Sequence, residues 1–229
     1  MPSLAFQLIT NSDEKSVEVV VNELVIAGWT SRDKDAMETH MLELEAIGIP
    51  RPKSAPIFYR VSADQLTQNE SITVIGEDSS GEVEFIVLSL SDGLWIGVGS
   101  DHTDRKVEAY NVSISKQVCA KPISTTLWRY DDLIGHWGDL ILRSYAIDNG
   151  NSSLYQEGPV TTMLPAEELI GRYNSETGDL AENTLMFCGT LAVKGGIRSM
   201  DAFEIELEDP VAEKKITHHY AIETLPNEG

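Results

Sequence analysis

The chain has 229 residues, 41% hydrophobic and 24% charged, with 37 acidic against 17 basic side chains and a formal net charge of −20. That apolar content is enough for the core of one large domain or two small ones and excludes global disorder. The acid excess repels phosphate backbones and anionic lipid, which argues against nucleic-acid or membrane partners. An anionic substrate then needs a local cation or a bound metal to hold it, although an acid excess also serves simply as a solubilising surface.

In chain order, Leu4 to Thr10 and Val17 to Leu24 read as two strands around the polar turn NSDEK. Ser31 is placed to N-cap a helix from about Arg32 to Ile47, whose apolar positions Ala36, Met37, Met41, Leu44 and Ile47 recur at helical spacing. Gly48 and Pro50 end it, and the segment PRPKSAP reads as a hinge. Beyond Pro56 the pattern is mostly strand: Ile57–Val61, Ser71–Ile75, Glu82–Ser89, Leu94–Val98, Leu140–Ala146, Thr184–Phe187, Phe203–Leu207 and Lys215–Ala221. Short helices fit near Ala63–Leu66 and Pro165–Tyr173, the latter opening on proline. Strands that do not alternate with long helices argue against a doubly wound parallel sheet. The expectation is a strand-rich, mixed α+β fold, with residues 1–50 as a small N-terminal lobe and 51–229 as the main domain. Cys119 and Cys188 are too few for a disulfide framework and read as buried thiols. With no basic leader at the N-terminus and no apolar run near ~18 residues, a cytoplasmic protein is expected.

The segment GEVEFIVLSL carries the sharpest chemical signal. Residues i and i+2 of a strand share a face, so Glu82 and Glu84 project together while Val83, Phe85 and Val87 point the other way. Two close carboxylates on a half-buried surface call for a cation or a shared proton. Hard ions such as Mg²⁺ or Mn²⁺ take carboxylate ligands and keep waters that a substrate displaces. From this pattern alone an exposed acidic edge after the SSG turn is the better account of the pair, because Glu-x-Glu is common. Downstream, in WIGVGSDHTDRK, an apolar strand ends at Asp101; Asp101, His102 and Asp104 are candidates to reach a metal and Arg105 to capture an anion bidentately, while a polar turn with an N-capping aspartate is the better account of the segment in isolation.

These pieces occur in an order that resembles the fumarylacetoacetate hydrolase superfamily. PIFYRVSADQL, the acidic pair, SDHTDRK, and AKPISTT are similar to that family's P-x-F-x-K, Y-E-x-E-L, N-D-V-[ST]-A-R-D and G-K-S-F-D segments. YQEGPVTTMLPAEELI and ENTLMFCGTLAVKGG followed by AFEIELEDP resemble its later stretches, so the likeness spans about residues 28–222 and points to a divergent bacterial branch. The resemblance implies a β-roll or sandwich with a lid helix, a Mg²⁺ or Mn²⁺ ion on Glu82, Glu84 and Asp101 (Ca²⁺ being an alternative occupant in a crystal), and a homodimer. It implies Arg105 and Thr190 at the substrate, and an active-site lysine that is Lys121 by spacing or else Lys116. His40 and Glu43, three residues apart in METHMLELEAIG, match the lid's His-x-x-Glu acid–base pair. The activity it implies is hydrolysis of a carbon–carbon bond in a small, acylpyruvate-like oxo acid through a metal-stabilised enolate. Decarboxylase, isomerase and hydratase chemistry, or non-catalytic oxo-acid binding, remain open on the same residues.

Departures from the family pattern are specific. The Glu84 to Asp101 spacing is short, Ser100 stands for the asparagine before the aspartate, Glu108 for a glutamine, and Leu191 for the proline of G-T-P. Among other candidates, adjacent His218 and His219 point to opposite strand faces and do not chelate together. His136 with Asp139 reads as an ordinary strand entry, and the four tryptophans read as core residues.

Overall fold

The structure is a computed structural model and describes residues 1–35, 37–38, 41–42 and 51–228. Its strands, in chain order, are β1 (Ser3–Ile9), β2 (Glu14–Val20), β3 (Glu23–Gly28), β4 (Ile57–Val61), β5 (Leu66–Thr67), β6 (Ser71–Ile75), β7 (Ser79–Ser80), β8 (Val83–Leu90), β9 (Gly93–Ser100), β10 (Thr103–Asp104), β11 (Lys121–Pro122), β12 (Thr126–Arg129), β13 (Ile141–Asp148), β14 (Asn151–Pro159), β15 (Thr184–Thr190), β16 (Ala202–Asp209) and β17 (Lys214–Leu225). An eight-stranded sheet runs β2-β1-β12-β9-β8-β15-β3-β4, and a five-stranded sheet runs β14-β13-β16-β17-β6. The first is mixed: β1 pairs parallel with β12 and β3 parallel with β15, while its other pairings are antiparallel. This is the expected strand-rich α+β class.

Strands β8, β9 and β15 are apolar on both faces because both are covered, as central strands should be. Val83, Phe85, Val87, Val98 and Met186 point toward the second sheet and meet Leu142, Ile205, Leu207 and Ile216. The helix Ala166–Tyr173 lays Ala166, Leu169 and Ile170 on the same core. On the other face Ile86, Leu88, Trp95 and Phe187 join Phe6, Leu24 and Ile26 from the first strands. A boundary near residue 50 therefore divides the chain but not the sheet, since β1–β3 are built into it.

Three local expectations change. The stretch 17–24 is not one strand: the chain breaks after Val20, and the apolar run ELVIAG forms β3, whose parallel partner β15 lies far along the sequence. The helix begins at Lys34, capped by Asp33 rather than Ser31, with the Asp35 amide donating to Asp33 Oδ1 at 3.1 Å. Segment 105–118, for which no helix was expected, forms the helices Arg105–Tyr110 and Val112–Val118, capped by Asp104 and Asn111. Among the described residues no helix is long and apolar enough to cross a membrane.

Candidate metal centre

Hairpin register creates the site. Glu82 lies one residue before β8 and Asp101 one residue after β9; the Asp101 amide donates to the Glu82 carbonyl at 2.9 Å, which sets their side chains side by side. Glu84, inside β8, is flanked by Gly99 on one neighbouring strand and Thr190 on the other. One carboxylate oxygen from each of Glu82, Glu84 and Asp101 lies within 4.8 Å of the others. This is the one such cluster of potential metal ligands among the described residues.

Three anions at that spacing repel by about 3 kcal/mol per pair at an effective dielectric near 20. Burial and the Asp101 charge push the Glu84 carboxyl well above its usual range, and burial also raises Glu82. Both shifts arise first from burial, and the neighbouring carboxylates add to them. Asp101 differs: burial opposes its ionisation, but the ammonium groups of Lys116 and Lys121 outweigh that and hold its pKa at about 2. Lys116 bonds Asp101 Oδ2 closely, and Lys121 lies 3.0 Å from Oδ1 while donating to the His102 carbonyl at 2.6 Å. Both lysines open in the sequence reading thus converge on one aspartate. Asp101 Oδ1 is buried against the Lys121 ammonium, so it is an oxygen that a bound ion would have to share with that lysine. Three hard oxygen donors fit Mg²⁺ or Mn²⁺.

Arg105 opens its short helix beside the cluster. Its Nη1 donates to Glu82 at 3.2 Å and Glu108 at 2.9 Å, and its Nε to Ser80 at 2.7 Å. Its Nη2 is buried and has no hydrogen-bond partner, which leaves a donor unsatisfied beside the carboxylates. Glu108, in place of the family's glutamine, shares this arginine. Thr190 lies next to Glu84, but its hydroxyl donates to the Val83 carbonyl at 2.8 Å and accepts from Gln156 at the same distance. The hydroxyl thus binds the end of β8 and the Gln156 amide. His40 and Glu43 lie outside the described residues.

Two residues in reach of a metal by sequence sit elsewhere. Asp104 caps its helix, accepting from the Val107 amide at 2.9 Å. The His102 ring lies between Ser79 (3.0 Å) and the Tyr220 hydroxyl (3.2 Å), and burial, with the charges of Lys121 and Arg105, lowers its pKa to about 3. It is neutral and structural. His136, paired in the sequence with Asp139, instead meets Asp209 at 2.9 Å.

Three supporting residues gave no sequence signal of their role. Gln156 of β14 accepts from the Val83 amide at 2.9 Å and Ser144, and donates to Thr190 and Leu191, satisfying both ends of its amide. Ser100 accepts from the Glu82 amide at 3.2 Å and bonds Tyr220, which ties the second sheet to the ligand strand. Gly189 donates its amide to Glu84 Oε2 at 2.6 Å; its φ is +99°, and a Cβ there would fall 1.7 Å from Thr30 Oγ1. The glycine of the CGT segment was visible, but its partner Glu84 is a long-range contact. Two surface depressions, of about 350 and 660 Å³, lie away from this cluster, beside Trp95 and Arg143 respectively.

Solved structures place this arrangement in a known fold. A 2-keto-3-deoxy-D-arabinonate dehydratase complexed with magnesium and 2,5-dioxopentanoate superposes with a TM-score of 0.64 at 16% identity, covering 95% of this chain and 86% of that one. Yeast ynq8, a fumarylacetoacetate hydrolase family protein, gives 0.63 at 16%, covering 91% and 95%. A candidate fumarylpyruvate hydrolase from Burkholderia cenocepacia gives 0.62 at 20%, covering 99% and 97%. The fold is that of the fumarylacetoacetate hydrolase family. No curated protein sequence matches the chain. Residues 27–220 match the model of the family described as "Protein of unknown function (DUF2848)", and the chain belongs to that family.

Proposed function

We propose that the chain is a Mg²⁺- or Mn²⁺-dependent enzyme acting on a small 2-oxo acid, cleaving the carbon–carbon bond of an acylpyruvate-like compound with water. The observation that carries this reading is the convergence of three carboxylates, half-buried Glu82 with buried Glu84 and Asp101, beside a buried arginine nitrogen without a partner. When bound on those carboxylates, a divalent ion supplies Lewis-acid polarisation of the substrate's oxo group.

The chain's own residues do the rest. The Gly189 amide, on Glu84, and the backbone bond between Asp101 and Glu82 position all three ligands, which is the preorganisation electrostatic catalysis needs. Arg105 Nη2 is the donor for the substrate carboxylate. Lys121, fully buried, places positive charge where the electron pair of the broken bond develops on the oxo-acid fragment. Water adds to the acyl carbon, that fragment leaves with the electron pair, and a proton returns to its carbon. His40 and Glu43 are the assigned acid–base pair for the water.

The dehydratase relative favours a second reading, in which the same site expels water from a 2-oxo acid instead of adding it across a carbon–carbon bond. It uses the same carboxylates and differs in product, not in the metal centre.

The test is thermal. Oxalate, a mimic of a metal-chelating 2-oxo carboxylate, is expected to raise the melting temperature only when Mg²⁺ or Mn²⁺ is present, because linkage couples the two ligands. Glu84→Gln is expected to abolish that coupling; oxalate stabilisation without metal would sink the chelation reading. In the wild type, product analysis with acylpyruvates then separates hydrolysis from dehydration. His40→Ala is expected to remove hydrolysis while metal binding survives.

A further inference from the structure

Three cations hold the carboxylate cluster, and they are not equivalent. Arg105 is fixed by Glu82, Glu108 and Ser80. Lys121 sits on β11 with no exposed surface, anchored by the His102 carbonyl as well as facing Asp101. Lys116 has one hydrogen-bond partner, Asp101 Oδ2, at the end of a long flexible stem on the last turn of the helix Val112–Val118. Its ammonium also lies 5.7 Å from the Tyr59 ring centroid, a weaker alternative seat. Of the three cations, Lys116 is thus the one held to the cluster by a single hydrogen bond.

A divalent ion seated among the three carboxylates meets that ammonium across a shared aspartate. Two cations on one carboxylate repel at short range with little solvent between them. The local balance also changes sign. Glu82, Glu84, Asp101 and Glu108 exceed Lys116, Lys121 and Arg105 by one negative charge; a dication leaves the site with one positive charge, which an anion offsets.

Resting on the metal-site reading above, we propose that Lys116 exchanges partners: it neutralises Asp101 in the metal-free protein, yields it when a divalent cation binds, and turns its ammonium to the anionic ligand. Lys116 is then a ligand-binding residue armed by the metal. It makes the protein hold metal weakly when alone and more tightly with an oxo acid.

The experiment measures Mn²⁺ affinity by calorimetry, with and without oxalate, in wild type, Lys116→Met, Lys116→Gln and Lys116→Arg. Loss of the charge is expected to tighten Mn²⁺ binding about tenfold or more and to reduce the factor by which oxalate tightens it further. Lys116→Arg, which keeps the charge, is expected to stay near wild type in Mn²⁺ affinity. Equal or weaker Mn²⁺ binding in the neutral variants, or an unchanged oxalate factor, overturns the proposal. Melting curves show which variants fold. Independently of them, a wild-type crystal grown with Mn²⁺ and oxalate is expected to show Lys116 away from Asp101 Oδ2; an ion in place with that contact intact overturns it. If no protein in the series binds Mn²⁺, the metal-site reading itself falls; if all bind alike, only the role of Lys116 does.

Discussion

His102 shows how a residue beside the ligands serves the site without touching a metal. Its ring is buried between Ser79 and Tyr220, and through Tyr220 and Ser100 it belongs to the chain of bonds that ends on the Glu82 amide. A charge there would be unsolvated and close to Lys121 and Arg105, so the folded protein keeps it neutral, with a pKa lowered to about 3 from an ordinary 6.5. The unfolded chain takes up that proton below about pH 6.5, so stability falls as pH drops from there toward 3. Between pH 7 and 5 this removes about 2 kcal/mol. The raised carboxyl of Glu84 acts with the opposite sign, since its contribution is lost as pH rises, but it is common to any pair of proteins differing only at His102. Urea unfolding in EDTA at both pH values is expected to show a smaller acid loss in His102→Gln than in wild type. Equal losses would mean that the ring is charged in the fold or that it is not buried.

At the scale of elements, the β8–β9 hairpin and its neighbour β15 decide where the ligands stand. Gly99 pairs with Glu84 and precedes Asp101 by two residues; a Cβ there would meet the Phe187 ring at 2.6 Å and Ile86 at 3.0 Å. Gly99→Ala is expected to cost about 1–3 kcal/mol by overpacking and to weaken metal binding by pushing β9 away from β15. Phe187→Leu should give part of that loss back in the double variant. Strict additivity of the two single changes in a denaturation cycle would refute the steric account. The paired carboxylates were legible because i and i+2 periodicity is local, and Asp101 because it ends an apolar strand. Strand β3 was blurred into β2 because no glycine or proline marks the break at Val21-Asn22, and β14, NSSLYQEGP, lacks an apolar run because it is an edge strand. The convergence of Lys116 and Lys121 on one aspartate, like the Gly189 and Gln156 contacts, depends on pairings between distant segments. No spacing within the sequence encodes them.

For the molecule as a whole, charge enters twice, and the two effects separate by salt. A formal net charge of −20 makes the folded surface repel itself, while the attractive surface groups, such as Arg143 among Glu157, Glu206 and Glu208, are fewer. Screening at 0.1 M, with a Debye length of about 10 Å, weakens both, and the repulsion dominates because acids outnumber bases 37 to 17. Sodium chloride added in EDTA is therefore expected to raise the melting temperature gradually, by about 2–4 °C for each kcal/mol of repulsion removed. The buried cluster responds differently. Glu84 and Asp101 are 2% and 0% exposed, so screening by sodium chloride changes their interactions little. Mg²⁺ at matched ionic strength should add a further rise that saturates with concentration, as site binding does and screening does not. Glu84→Gln should keep the sodium response and lose the saturable part. A magnesium response in that variant equal to wild type would place the ion on the acidic surface instead of in the cluster, and the metal centre would have to be given up.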